Sequence, residues 1–159
     1  MATEDKKTIV QRFLESVFNE DYEKVGRLID PSFTYHDTST GELHGLDDIE
    51  RLFTNFHRRY PDLSITIEEL ADAERDRVVA RYTMYGTHQG DDKRVAAEGM
   101  SISRIYDGKI QEMRVIWDTA GWLFQEIGRP DVAWFCWFWW CLGPRDPQEQ
   151  GVPAEERGQ

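Results

Sequence analysis

The chain has 159 residues, 40% hydrophobic and 31% charged, which suits one globular domain with a real core and excludes a collagen-like, disulfide-scaffold or wholly disordered chain. Thirty acidic residues against nineteen basic ones give a net charge of -11, which would repel phosphate backbones and anionic lipid, so nucleic acid and membrane surfaces are not expected partners. The N-terminus, MATEDKKTIVQRF, lacks the basic-then-apolar pattern of a secretory signal, and no apolar run approaches the ~20 residues of a transmembrane helix; a cytoplasmic address is expected.

In chain order, Ile9, Val10, Phe13, Leu14, Val17 and Phe18 recur at three- and four-residue spacing and predict a first helix over Thr3 to Phe18. A short second helix carries Tyr22, Val25, Leu28 and Ile29 before Pro31 stops it. Ser32 to His36 reads as a strand, and Thr38 to Gly45 as a polar loop with two glycines. Asp47 and Glu50 resemble a capping box, opening a third helix through Ile49, Leu52, Phe53, Phe56 and Tyr60 to Pro61. From Leu63 the period becomes two. Runs from Leu63, from Val79 to His88, from Val95 to Tyr106 and from Lys109 to Thr119 predict strands, the last two joined by a tight turn at Asp107-Gly108. Thr119 to Ile127 closes as a helical turn ended by Gly128 and Pro130.

Helices first and an antiparallel meander afterwards imply an α+β layer, residues 1–130, with the helices on one face of a curved sheet. Residues 131–142 include Trp134, Phe135, Trp137, Phe138, Trp139 and Trp140, a run too aromatic for a one-sided face and expected to pack on the domain or a partner subunit. Residues 143–159 hold Pro, Gly and charge without an apolar face and are expected to be a disordered tail. Cys136 and Cys141, five apart in the aromatic run, suit neither a disulfide framework nor a zinc site and read as reduced packing residues.

Lys6 to Gly128 resembles the SnoaL-like polyketide and ester cyclases of the nuclear-transport-factor-like superfamily. The resemblance rests on PSFTYHD at 31–37, YPDL at 60–63, GTHQG at 86–90 and above all ISRIYDGKIQEMRVIWDTAGWLFQEIG at 102–128. It implies a cone-shaped, cystatin-like α+β barrel around one deep apolar pocket, usually a homodimer, with no metal and no cofactor. The same scaffold carries aldol-type cyclases, keto-steroid isomerases, epoxide-opening enzymes and plain binding modules, so fold alone does not choose among them.

The position matching the family's WD motif, where one carboxylate serves as acid and base, is Asp118. A carboxylate at a strand end among aromatic walls would be poorly solvated and so a better proton acceptor; the plainer alternative is that Asp118 caps the helix behind it. His88 in GTHQG and His36, beside Asp37, are further catalytic candidates that would orient the carboxylate or share its proton. Against this, a lone histidine is more often a hydrogen-bonded wall or surface residue. His44 and His57 rank below them, in a loop and on a helix. The candidate substrate-binding residues are Tyr35, Asp37, Phe56, Tyr82, Met84, Met100, Arg114, Trp117 and Trp122.

Arg114 departs from the family pattern, which places a large aromatic residue there. It shares strand parity with Asp118, about 13 Å away, and would hold an anionic substrate oxygen if that face is the pocket, or else lie in solvent or an interface. No HExxH, His-x-His, GxGxxG, GxxxxGK[ST] or GxSxG run occurs, which sets aside metal, dinucleotide, ATP and serine-hydrolase chemistry of those kinds. These readings converge on a cofactor-independent cyclase or isomerase moving protons on a carbonyl-containing, polyketide-like small molecule of secondary metabolism. An epoxide-opening enzyme and a non-catalytic ligand-binding or dimerisation module remain as alternatives.

Overall fold

A computed structural model describes residues 5–127. The expectations for residues 131–142 and 143–159, including Cys136 and Cys141, lie outside the described residues.

The first two helices are α1 (Lys6–Phe18) and α2 (Tyr22–Leu28), followed by strands β1 (Ile29–Asp37) and β2 (Gly41–His44) and by helix α3 (Gly45–Arg59). Four strands, β3 (Ser64–Ala73), β4 (Arg77–Thr87), β5 (Arg94–Tyr106) and β6 (Lys109–Trp117), precede the closing helix α4 (Thr119–Ile127). The strands form one sheet in the order β2-β1-β6-β5-β4-β3. The fold class is therefore α+β, N-terminal helices with a six-stranded sheet.

The sheet departs from a pure antiparallel meander at one seam. β1 lies parallel to β6, with Tyr35 opposite Met113 and Asp37 opposite Val115, while every other pair is antiparallel. Two sequence expectations are corrected around β1. Pro31 does not stop α2, which ends at Leu28; it lies inside β1, within the register shift between Ile29 and Thr34, where a residue without an N–H leaves no ladder bond unmade. The polar loop Thr38 to Gly45 contains β2, an edge strand paired to β1 through Tyr35 and Leu43.

Alternation sorts the sheet into two faces. Val78, Ala80, Tyr82 and Met84 of β4, Val95 and Ala97 of β5, and Ile110, Met113 and Val115 of β6 are buried under the helices, where they meet the α1 face read from the sequence. The opposite face carries Arg81, Glu112, Arg114 and His36, and leaves Met100, Ile102 and Ile116 exposed. Asp107 and Gly108 both have positive φ, 47° and 73°, the primed turn whose twist matches a two-residue hairpin. The start of α3 differs from the expected box: the helix begins at Gly45 behind His44, and Asp48, not Glu50, reaches back to accept the His44 backbone N–H at 3.0 Å.

Candidate active site

A cavity opens between the sheet, α3 and α4. Its volume is about 70 Å³, and it is open to solvent at one side. Tyr35 and Asp37 enter from β1, Phe53 and Phe56 from α3, Met84 and Ala97 from β4 and β5, and Trp117 from β6; Trp122 of α4 completes the apolar wall. The exposed residues Ser39, Asp118 and Thr119 mark its mouth. A larger groove beside α1 and α2 is lined by Arg12, Glu15, Asn19, Asp21 and Lys24 and has an open, charged surface without aromatic walls. The smaller cavity is the better ligand site, since a pocket needs apolar walls with a few fixed polar groups.

Trp117 owes its place to a glycine. Gly99 of β5 pairs with both Trp117 and Tyr82, and a Cβ there would fall 2.6 Å from the indole and 2.7 Å from the phenol ring. With hydrogen there instead, the two rings meet across β5 at 5.0 Å between centroids.

Two carboxylates line the cavity. Oδ1 of Asp37, a residue only 8% exposed, accepts the Ser39 backbone N–H at 2.7 Å and the Ser39 hydroxyl at 2.6 Å. Its Oδ2 lies 3.5 Å from the Tyr35 hydroxyl. At Asp118, Oδ1 accepts the Gly121 N–H at 2.8 Å and so caps α4, the plainer role weighed from the sequence. The second oxygen rests over the Gly121 Cα, where an added Cβ would approach to 2.0 Å. Asp118 is exposed rather than enclosed by aromatic rings, so the expected desolvation does not occur.

Burial pushes the Tyr35 phenol well above its usual range, with Tyr82 and the Asp37 carboxylate adding to the rise and the Trp117 indole opposing it. Burial likewise raises Tyr82 strongly. Both hydroxyls are therefore protonated at neutral pH and available as donors.

Of the residues singled out from the sequence, the cavity brings together Tyr35, Asp37, Phe56, Met84, Trp117, Asp118 and Trp122. It does not include the other five. Tyr82 is buried behind Trp117. Met100 and Arg114 face the opposite side of the sheet, where Nε of Arg114 bonds Glu112 at 2.8 Å. The parity argument failed because β6 ends at Trp117, so Asp118 leaves the strand before alternation can place it. His36 shares that outer face, 3.2 Å from Glu42 and 3.6 Å from Glu112. His88 sits in the turn after β4, its Nδ1 2.8 Å from Asp91.

Sequence reasoning missed Ser39, Phe53, Ala97 and Thr119. The first had a signal: Asp37-Thr38-Ser39 is the spacing at which an Asp side chain bonds the backbone two residues on. Among the described residues no group of three or more His, Cys, Asp or Glu side chains is arranged to hold a metal ion, and no helix is long and apolar enough to cross a membrane.

The sequence profile of the SnoaL-like polyketide cyclases matches residues 8–126, and the chain belongs to that family. Among solved structures, it is similar to IdmH, a polyketide-cyclase candidate from Streptomyces antibioticus, at 20% identity and TM-score 0.69, covering 77% of this chain and 98% of that one. A polyketide-cyclase candidate from Bacillus cereus ATCC 10987 is 27% identical, with TM-score 0.67 over 76% of this chain and 78% of that one. An LEH-like epoxide hydrolase from M. tuberculosis is 18% identical, with TM-score 0.64 over 82% and 95%. No curated protein matches the sequence.

Proposed function

We propose that this protein is a cofactor-independent cyclase or isomerase that transfers a proton on a carbonyl-containing small molecule, with Asp118 as the general base and acid. The observation that carries the reading is the aromatic-walled cavity with Asp118 at its mouth, Oδ1 fixed by the α4 cap and Oδ2 kept clear by Gly121. A base held this way needs little reorganisation to accept a proton from a carbon beside a carbonyl. Asp37 is less suited to that step, because three donors from Ser39 and Tyr35 already face its oxygens. The polyketide-cyclase family and the candidates among its solved relatives support the carbonyl chemistry.

One observation favours a second reading. Two carboxylates, Asp37 and Asp118, line the same cavity, an arrangement that could activate water against an epoxide, the chemistry named for the M. tuberculosis relative. The exposure of Asp118 suits a non-catalytic module, but an open cavity does not suit one that serves only for association.

The deciding experiment follows deuterium exchange at the α-carbon of α-tetralone by NMR. Asp118→Asn keeps the cap and should lower the exchange rate by ~10² to 10⁴, with a stability change well under ~1 kcal/mol. Near wild-type exchange in that variant removes the assignment. Consumption of a small aryl epoxide, without ketone exchange, would install the second reading.

A further inference from the structure

Asp37 is the most buried charged side chain in the cavity, and among the described residues nothing positive faces it. Among the described residues, none that lines the cavity is Lys, Arg or His, and neither Asp37 nor Asp118 has an ion-pair partner. The groups that satisfy Asp37 are neutral: the Ser39 N–H and hydroxyl, and the Tyr35 phenol. A carboxylate shielded from water and held only by neutral donors gains further from a cation that a ligand brings to it.

The walls fit such a cation. Tyr35, Phe53, Phe56, Trp117 and Trp122 place five aromatic rings around the same space. Aromatic faces attract ammonium groups and offer nothing to an anion. The charge of Asp37 has the matching sign: burial is the main cause of the raised Tyr35 and Tyr82 phenols, and the Asp37 carboxylate adds to both. At longer range, the net charge of -11 would concentrate cations near the surface.

We infer that the cavity selects a ligand bearing an ammonium group, seated between the Asp37 carboxylate and the aromatic walls, so that the substrate is an amine-bearing carbonyl compound. The inference rests on the reading of this cavity as the substrate site and divides the work of its carboxylates. Asp37 holds the cation, and Asp118 remains free for the proton. Of the two alternatives for Arg114, an anion-holding group in the pocket or a residue in solvent or an interface, its place on the other face of the sheet leaves the second.

The test compares choline with its neutral isostere 3,3-dimethylbutan-1-ol and its anionic counterpart 3,3-dimethylbutyrate, using ligand-observed NMR and calorimetry on the full chain. Choline should bind at least tenfold more tightly than the alcohol, and the carboxylate should not bind. Asp37→Asn should lower choline affinity at least tenfold and leave the alcohol unchanged. That variant removes one of thirty acidic groups, so generic attraction to an acidic surface would barely respond. Equal binding of choline and the alcohol, any preference for the carboxylate, or full choline affinity in Asp37→Asn would overturn the inference. If Asp37→Asn does not fold, the three-ligand comparison on the unmodified protein decides by itself. Choline has no carbonyl and no acidic C–H, so its binding is independent of proton transfer. Loss of α-tetralone exchange with choline selectivity intact would sink the proposed function and leave the cation site standing; the converse result would do the opposite.

Discussion

The Trp122 indole N–H donates to the Tyr60 hydroxyl across 2.7 Å, with the two rings edge to face at 4.8 Å. This contact fastens α4, one wall of the cavity, to the end of α3. Exposed contacts support it: Gln125 pairs with both backbone groups of Ala96 at 2.8 Å, and Arg59 bonds Glu126 at 3.1 Å. The buried contact should dominate, because surface pairs contribute little.

Tyr60→Phe should therefore destabilise the protein by about 1–3 kcal/mol, since the Trp122 N–H is left buried without an acceptor. Arg59→Ala should change stability by less than ~1 kcal/mol. Urea denaturation of both variants checks the ranking, and a larger loss at Arg59 would contradict it.

Gly99→Ala should cost about 1–3 kcal/mol through overpacking, as its Cβ would intrude on the Trp117 and Tyr82 rings. Displacing Trp117 should also weaken ligand binding in the cavity. Thermal melting and a choline titration on the same sample would test both effects; an unchanged variant would mean the rings have room to retreat.

Stability should fall at alkaline pH. The Tyr35 and Tyr82 phenols are raised by burial, so the unfolded chain releases their protons from about pH 10 while the folded chain retains them. Their contribution is complete below pH 10, then declines by about 1.4 kcal/mol per pH unit for each tyrosine until its folded-state value is reached. Tyr82→Phe removes the buried phenol that resists ionisation and should flatten the alkaline loss. Melting temperatures from pH 8 to 11 give the readout.

We expect a homodimer formed through the outer face of the sheet. Ile116 pairs with Met100 across β6 and β5, and with Ile102 they leave three large apolar side chains exposed, at 65%, 49% and 44%. Light scattering should report about twice the 18.7 kDa chain mass, and Ile116→Lys should shift it towards monomer. A dilution-independent monomer for the unmodified chain would end this expectation.

What the sequence revealed was local. The α1 stripe, the Asp107-Gly108 turn and the start of α4 depend on neighbours a few residues apart, and all three recur in the structure. The edge strand β2 carries no alternating apolar pattern across Gly41–His44 and therefore left no trace. Within the candidate site, the aromatic walls were legible by residue type, whereas the relation of Arg114 to Asp118 depended on where β6 stops, which parity cannot reveal. Asp37 gained its prominence from burial and from Ser39, a neighbour whose significance lies in a turn rather than a motif.

The parallel seam between β1 and β6 also governs when the cavity can exist. Tyr35 and Asp37 come from the first strand and Trp117 from the last, and they meet only after that seam has closed over all the intervening sequence. Such a long-range closure is entropically late and slow relative to the hairpins between β3 and β6. During synthesis, a nascent chain lacking β6 would hold an antiparallel hairpin of β3 and β4 and still have no ligand site. Binding competence should thus appear as the final event of folding, and an early amino-terminal fragment should not compete with the finished protein for its ligand.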